Sequence, residues 1–217
     1  MNVKLISYSQ PPEGSELEDD LLQMVAYCAR VSNPSNQQNE ATSTKLVKYL
    51  MKHQHWSPLE MVSVCMEIET TRDIARQILR HRSFSFQEFS QRYAKPEDMN
   101  DYPFELREAR LQDTKNRQNS VVTNDTILAA KWILEQKRVI ASAQNAYKWA
   151  IDNGIAKEQA RSVLPEGNTK TRMYMNGTLR SWIHFIDLRG SNGTQQEHMD
   201  IAHACAEVIY NIFPVNT

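Results

Sequence analysis

Residues 61–81 read Met61-Val62-Ser63-Val64-Cys65-Met66-Glu67-Ile68-Glu69-Thr70-Thr71-Arg72-Asp73-Ile74-Ala75-Arg76-Gln77-Ile78-Leu79-Arg80-His81. Two periodicities lie back to back in this stretch. Over 61–70, Val62, Val64, Met66 and Ile68 fall on one side and Ser63, Cys65, Glu67 and Glu69 on the other. That alternation is the pattern of a strand with one face buried and one half exposed. From 71 the period lengthens. Ile74, Ala75, Ile78 and Leu79 form an apolar stripe, and Arg72, Arg76 and Arg80, four apart, share the other face, so a helix is expected over about 71–81. A strand leading straight into a helix points to a fold that mixes the two.

The flanking sequence agrees. Residues 2–8 read as a short first strand. Ser15-x-x-Glu18 is a capping-box pattern ahead of Leu21, Leu22, Val25, Cys28 and Ala29, which keep helical period. Residues 32–40 are a polar loop, and a second helix is expected over about 43–53 with Leu46, Val47, Leu50 and Met51 inward. Beyond the quoted stretch, 94–103 are loop-like and 104–122 hold one or two short strands. A long helix fills about 125–152, stopped by Asn153-Gly154, and a short one runs to Leu164 before Pro165. A strand is expected at 171–176, then a helix marked by Leu179, Trp182, Ile183 and Ile186, then a last helix over about 194–212. There is no internal repeat and no linker. The expectation is one α+β domain over 1–217, with an antiparallel or mixed central sheet flanked by helices.

Composition narrows the class. Apolar residues make up 41% of 217, enough for a real core, and eight prolines with six glycines exclude a low-complexity chain. No run approaches the roughly 18 apolar residues of a membrane span, and the first residues lack a signal-peptide core. A soluble intracellular protein with no membrane association is expected. Cys28, Cys65 and Cys205 are odd in number and widely spaced, which fits small core residues better than disulfides or a zinc site. No metal site is expected either: His53 and His55 diverge, and His198 and His203 miss the i, i+4 spacing of helical zinc ligands. The net charge of −1 hides an acidic run (Glu13, Glu16, Glu18, Asp19, Asp20) and a basic one, with five arginines over 72–92 against Asp73 and Glu88. A local basic cluster in a neutral chain fits a small phosphorylated ligand better than long nucleic acid.

Residues 80–93, Arg-His-Arg-Ser-Phe-Ser-Phe-Gln-Glu-Phe-Ser-Gln-Arg-Tyr, concentrate that chemistry. Like charges four apart on a helix repel by a few tenths of a kcal/mol, so the arginine stripe needs compensation. For Arg72 and Arg76 a solvated face paired with Glu67, Glu69 or Asp73 suffices. Arg80, His81 and Arg82 point in different directions and can serve more than one ligand, arginine's planar fork suiting phosphate. Ser83, Ser85 and Ser90 add hydroxyls, Gln87 can read a base edge, and Phe84, Phe86, Phe89 and Tyr93 stack on rings or anchor the segment. Neither G-x-G-x-x-G nor G-x-x-x-x-G-K-[ST] occurs, so side chains must hold any phosphate.

Arg80-His81-Arg82 followed by Ser90-Gln91-Arg92 resembles the signature of the flavin-dependent thymidylate synthases. The resemblance extends to His55-Trp56-Ser57-Pro58-Leu59-Glu60, to 160–165, to 179–189 and to Gln195-x-Glu197, in the family's order over most of the chain. It implies transfer of the methylene of 5,10-methylenetetrahydrofolate to dUMP, with hydride from reduced FAD and NADPH as reductant, giving dTMP. It implies a homotetramer whose active sites lie at subunit interfaces, working in the cytoplasm, or in a host's if the gene is viral. By this resemblance Arg80, His81 and Arg82 belong to the flavin side, with Ser57, Thr178, Arg180, His184 and Glu88. Gln77, Arg80, Glu88, Ser90, Gln91, Arg92, Arg161 and Arg189 match nucleotide-binding positions, Arg161 holding the phosphate and Arg189 lying beside the pyrimidine. His55 matches a histidine near flavin and folate. Arg189, Ser90 and His55 are the catalytic candidates.

No cysteine sits in a basic setting that lowers thiol pKa, and no base is evident beside Ser90. Ser90 is therefore expected to position dUMP, with arginines polarising the pyrimidine oxygens and the flavin carrying hydride. Without a Rossmann motif, the nicotinamide is expected to use the open flavin pocket. Thr178 stands where a flavin-binding Asn is common. Two other readings remain open: a noncatalytic RNA-binding module using the basic-aromatic 72–92 segment, and flavin- and folate-dependent methylation of another uracil, such as one in tRNA.

Overall fold

The computed structural model describes residues 2–15, 17 and 20–215. The stretch quoted above is its centre. β2 (Ser63–Thr71) runs directly into α3 (Arg72–Ile78). β2 pairs antiparallel with β1 (Asn2–Tyr8) on one side and with β6 (Lys170–Thr178) on the other, and β3 (Ser85–Glu88) closes the sheet against β6. The strand order is β1-β2-β6-β3, antiparallel throughout. This settles the sheet as antiparallel rather than mixed.

The alternation in β2 does what its pattern requires. Val64, Met66 and Ile68 are fully buried and meet Met173 and Met175 of β6 under a layer of helices. Those helices are α1 (Leu21–Ala29), α2 (Ser43–Lys52), α7 (Leu179–Arg189) and α8 (Gln196–Ile212), which supply Val25, Val47, Trp182, Phe185 and Ile201 to the same core. The Trp182 indole N–H donates to the Val64 carbonyl at 2.9 Å, so this large ring enters the core with its polar atom satisfied. The other sheet face stays polar: Glu69 accepts from Arg172 Nε at 2.9 Å.

Like β2, β6 passes into a helix with no loop. Thr178 is the N-cap of α7 and its hydroxyl accepts from Ser181 N at 3.3 Å. The expected long helix is α5 (Thr126–Asp152), about 40 Å long at 1.5 Å per residue. It is capped by Asp125, whose side chain accepts from Leu128 N. Ile140, Tyr147 and Ala150 of α5 make a second, smaller core with Phe104, Ala160 and Leu164. The remaining elements are short: the turn α4 (Pro96–Met99), the hairpin of β4 (Arg110–Gln112) and β5 (Ser120–Val122), and α6 (Lys157–Ala160).

Four expectations change. Residues 85–88 form an edge strand within a segment read as a ligand loop. α3 ends at Ile78, leaving Arg80-His81-Arg82 in the turn beyond it. The loop at 32–40 contains 3-10 turns at Pro34–Asn36 and, from its end, Glu40–Thr42. The first helix begins after Asp20, whose carboxylate accepts from Leu22 N at 2.8 Å; the Glu18 half of the Ser15/Glu18 box lies outside the described residues. Of the cysteines only Cys205 is fully buried, and burial pushes its thiol pKa well up. Cys28 and Cys65 are part-exposed.

Candidate active site

The expected site residues fall into three groups. The first lines a cleft of about 360 Å³ between α3, the segment after β3 and the turn after α6. Arg72, Arg76, Gln91, Arg161, Ser162 and Glu166 face it. Arg76 is exposed, as a solvated face requires, but Arg72 is not, and neither arginine has the carboxylate partners expected from local spacing. Arg72 is only 6% exposed, and its carboxylate partners are Glu88, at 3.4 Å, and Glu166, at 3.8 Å. Arg76 reaches the same pair, Glu88 at 3.7 Å and Glu166 at 3.3 Å. Glu67 and Glu69 serve Arg172 instead, and Asp73 serves Arg107. Glu88 is half-buried and also accepts from the Thr171 hydroxyl at 3.0 Å, so in this chain it anchors the arginines at the cleft.

Gln91 is the most informative member of this group. Its side chain is 3% exposed, and its amide nitrogen is buried without a partner. An orphaned donor of this kind costs about 1–3 kcal/mol, and the cleft it lines is rich in arginine. Arg92 is exposed and pairs with Glu158 at 3.6 Å. The Ser90 hydroxyl accepts from Arg92 N at 3.4 Å, and among the described residues no imidazole or carboxylate contacts it.

The second group centres on His81, in the turn after α3. Its Nε2 accepts from Arg189 Nε at 2.9 Å, which fixes the proton of the neutral ring on Nδ1. Burial, reinforced by the adjacent Arg189 charge, lowers the His81 pKa from 6.5 to about 4. Its ring stands edge-on to Phe185, 5.0 Å between centroids. Nearby, Gln77 of α3 donates to Gln195 at 2.8 Å and faces His198 Nδ1 at 3.3 Å. Glu197 accepts from Gln195 at 2.9 Å, is ion-paired with Arg107 at 2.9 Å, and is also bonded by Arg110. Sequence reasoning gave no role to His198, Arg107 or Arg110. Their partners lie on other elements, so spacing carried no signal for them.

The third group surrounds the N-terminal half of α7. The 3-10 turn Ser57–Glu60 packs there, with the Trp56 ring edge-on to the exposed His184 imidazole at 4.6 Å. Arg180 pairs with Glu60, and Ser181 hydrogen-bonds the Ser83 carbonyl at 3.4 Å, tying the segment after Arg82 to α7. His55 and Ser57 are exposed on this side, the His55 ring 6.3 Å from Tyr49. Arg80 and Arg82 are exposed, and neither side chain has an ion-pair or hydrogen-bond partner among the described residues. No hydrogen bond or ion pair among the described residues links the His55/His184 side to the Arg161 cleft.

The aromatics of the signature segment are mostly anchors. Phe84 is buried against Trp182 at 4.9 Å and Phe185 at 6.1 Å, Phe86 is half-buried, and Tyr93 alone stands 81% exposed. Among the described residues, no group of three or more His, Cys, Asp or Glu side chains is placed to hold a metal ion, and no helix is long and apolar enough to cross a membrane.

Comparison with known proteins gives these groups a context. The model of the thymidylate synthase complementing protein family matches residues 16–215. A protein of Paramecium bursaria Chlorella virus 1 described as a probable flavin-dependent thymidylate synthase is 49% identical over 215 residues, covering 99% of this chain and 96% of the relative. The flavin-dependent thymidylate synthase of Synechocystis sp. is 47% identical over 218 residues, with the same coverage. Among solved structures, the UMP/dUMP methylase PolB of Streptomyces cacaoi, bound with 5-Br dUMP, shares the fold. It aligns with a TM-score of 0.77 at 24% identity, over 98% of this chain and 91% of that one. Matches that run nearly end to end, over all three groups of residues, mean that this chain belongs to the family of flavin-dependent thymidylate synthases.

Proposed function

We propose that the protein makes dTMP from dUMP. The carbon comes from 5,10-methylenetetrahydrofolate, FAD is the bound flavin, and NADPH is the reductant. The chain acts as one domain in the cytoplasm, or in a host's cytoplasm if virally encoded. The observation that carries the reading is the orphaned Gln91 amide beside Arg72, Arg76 and Arg161, a built anion cleft next to the signature segment.

The residues fit each ligand. In the cleft, Arg161 and Arg92 take the nucleotide phosphate, and Gln91 and Ser90 donate to its oxygens or to the sugar. The exposed carboxylates Glu166 and Glu158 hold Arg76 and Arg92 meanwhile. Exposed pairs of this kind are worth about 0–1 kcal/mol, so a dianionic phosphate displaces them readily. Arg189 spends its Nε–H on His81, which leaves the two terminal nitrogens of the guanidinium to serve a ligand. Aimed at a pyrimidine carbonyl, that fork stabilises charge developing on the oxygen as the ring is activated. Ser90 positions dUMP and takes no covalent part, in keeping with its lack of a base.

On the flavin side, Arg80 and Arg82 are cations without carboxylate partners among the described residues, whereas most arginines described above are paired. They suit a diphosphate, with Thr178, Arg180 and Ser57 beside them and the His55 and His184 imidazoles near ring and folate. A bound flavin supplies the hydride that reduces the transferred carbon. Assembly as a homotetramer joins the separated groups across subunit interfaces. Supporting it, α5 exposes Ile127, Leu128, Trp132, Ile133, Leu134 and Val139, a contiguous apolar length that calls for a protein partner. The RNA-binding alternative has less support, because of its four aromatics Phe84 is in the core and only Tyr93 is largely exposed.

Purified protein titrated with FAD should show flavin absorbance bands, and calorimetry should detect dUMP binding lost in Arg161→Ala. Protein that takes up no flavin and binds dUMP no differently after Arg161→Ala would refute the reading. Binding of oligonucleotides with a steep salt dependence in place of dUMP would favour the RNA module.

A further inference from the structure

The second group contains a hydrogen-bond relay whose direction is set at one end. Glu197 is 6% exposed. Burial opposes its charge, but its own backbone N–H, the Arg107 charge and the Gln195 amide outweigh this and hold the carboxyl below the usual carboxylate range. An ionised carboxylate only accepts. Gln195 must therefore turn its NH₂ toward Glu197, 2.9 Å away, and its carbonyl the other way, toward Gln77. Gln77 must then turn its own NH₂ to Gln195, at 2.8 Å, and its carbonyl to His198 Nδ1, at 3.3 Å. Nδ1 must carry the proton, and His198 Nε2, buried and without a partner, is left as a bare lone pair. His198 is fully buried, and burial with Arg189 and His81 nearby holds its pKa at about 4, so the ring is neutral.

We propose that Glu197, acting through Gln195, sets the polarity of the Gln77 amide and the tautomer of His198, and is thereby a positioning residue for the nucleotide. The functional half of this proposal rests on the reading of Gln77 as a dUMP contact; the tautomer half does not. With the relay in this direction, Gln77 keeps one amide hydrogen for an acceptor atom of the ligand. Reversing the relay replaces that N–H with a carbonyl oxygen.

The isosteric variant Glu197→Gln reverses it by a definite route. Arg107 and Arg110 are donors only, so they hold the new carbonyl oxygen, and the new NH₂ faces Gln195. Gln195 and Gln77 each turn over, Gln77 presents its NH₂ to His198 Nδ1, and the proton of His198 moves to Nε2.

Solid-state ¹⁵N NMR of histidine-labelled full-length protein at pH 7 reads this directly, with the His198 resonances assigned by loss in His198→Gln. The wild type should show the Nδ1-protonated tautomer and Glu197→Gln the Nε2-protonated one. An Nε2-protonated His198 in the wild type overturns the proposal without recourse to any variant, as does an unchanged tautomer in Glu197→Gln. In steady-state assays Glu197→Gln should raise the KM for dUMP about tenfold with a smaller change in kcat, as expected for one hydrogen bond worth about 1.4 kcal/mol. A KM unchanged in both Glu197→Gln and Gln77→Ala, with the tautomer switched, would sink the nucleotide role of Gln77 and leave the relay standing. A KM raised by Gln77→Ala but not by Glu197→Gln would overturn the positioning role.

Discussion

Gly177→Ala should destabilise the protein through a single contact. Gly177 lies in β6 opposite Val64 of β2, with the Phe84 ring against it. A Cβ at this position would sit 2.7 Å from Phe84 Cε1, and Cδ1 would be closer still. Ordinary carbon contacts are about 3.5–4.0 Å, so the ring would have to move by about 1 Å. It has nowhere to go: Phe84 is 8% exposed and wedged against Trp182 and Phe185. Overpacking of this kind costs about 1–3 kcal/mol. For a chain of 217 residues the mid-range value of about 2 kcal/mol lowers Tm by about 4–8 °C. Thermal melts of wild type and variant, run at one protein concentration, measure the drop. The Phe84→Leu background removes the ring edge, so adding Gly177→Ala there should cost at least about 1 kcal/mol less than in the wild type. A Gly177→Ala melt within 1 °C of wild type, on the order of the reproducibility needed to resolve ~0.3 kcal/mol, or strict additivity in the double variant, would rule out the clash with Phe84.

Three further outcomes are expected. Arg107→Ala removes an ion-pair partner shared by Asp73 (2.9 Å) and Glu197 (2.9 Å); because Glu197 keeps Arg110 and Asp73 keeps the Thr71 hydroxyl, the loss should be about 1–3 kcal/mol, read as a lower urea midpoint at unchanged m-value. His81 and His198 both have folded pKa values near 4 against 6.5 unfolded, so the unfolded chain binds more protons between those values. Their contribution is therefore fully present above about pH 6.5 and lost as pH falls toward 4, by about 3 kcal/mol for one independent site; His81→Phe should flatten this part of the stability–pH curve, and an unaltered slope would contradict the buried-neutral assignment. Gln91→Leu removes an orphaned buried donor, so it should leave stability unchanged or raise it by about 1 kcal/mol, while dUMP affinity, by calorimetry, falls at least tenfold.

The parts of the fold that could be read from sequence are those whose signals are local. β2 and α3 announce themselves through two clean periods, and α5 through its stop at Asn153-Gly154. β3 was missed although Ser85, Phe86, Gln87 and Glu88 also alternate, because it is four residues long and pairs only with β6. Its serines and aromatics read equally well as a ligand loop. The signature residues were legible as a motif, but their environment was not. Arg76 finds Glu166 90 residues away, so a view limited to carboxylates close in sequence assigned the wrong partners and left Arg72 and Arg76 outside the site. The Glu197–Gln195–Gln77–His198 relay was hidden for the same reason, since it joins α3 to α8 and involves side chains with no sequence period of their own.

Purified protein supplied with FAD, NADPH, 5,10-methylenetetrahydrofolate and dUMP should form dTMP, identified by chromatography and mass. It should do so with matching NADPH oxidation, and dTMP formation should fall by at least about tenfold, the equivalent of 1.4 kcal/mol, in Arg161→Ala at subsaturating dUMP. Flavin-replete protein that yields no dTMP, or that methylates a uracil in tRNA while leaving dUMP untouched, would contradict the account.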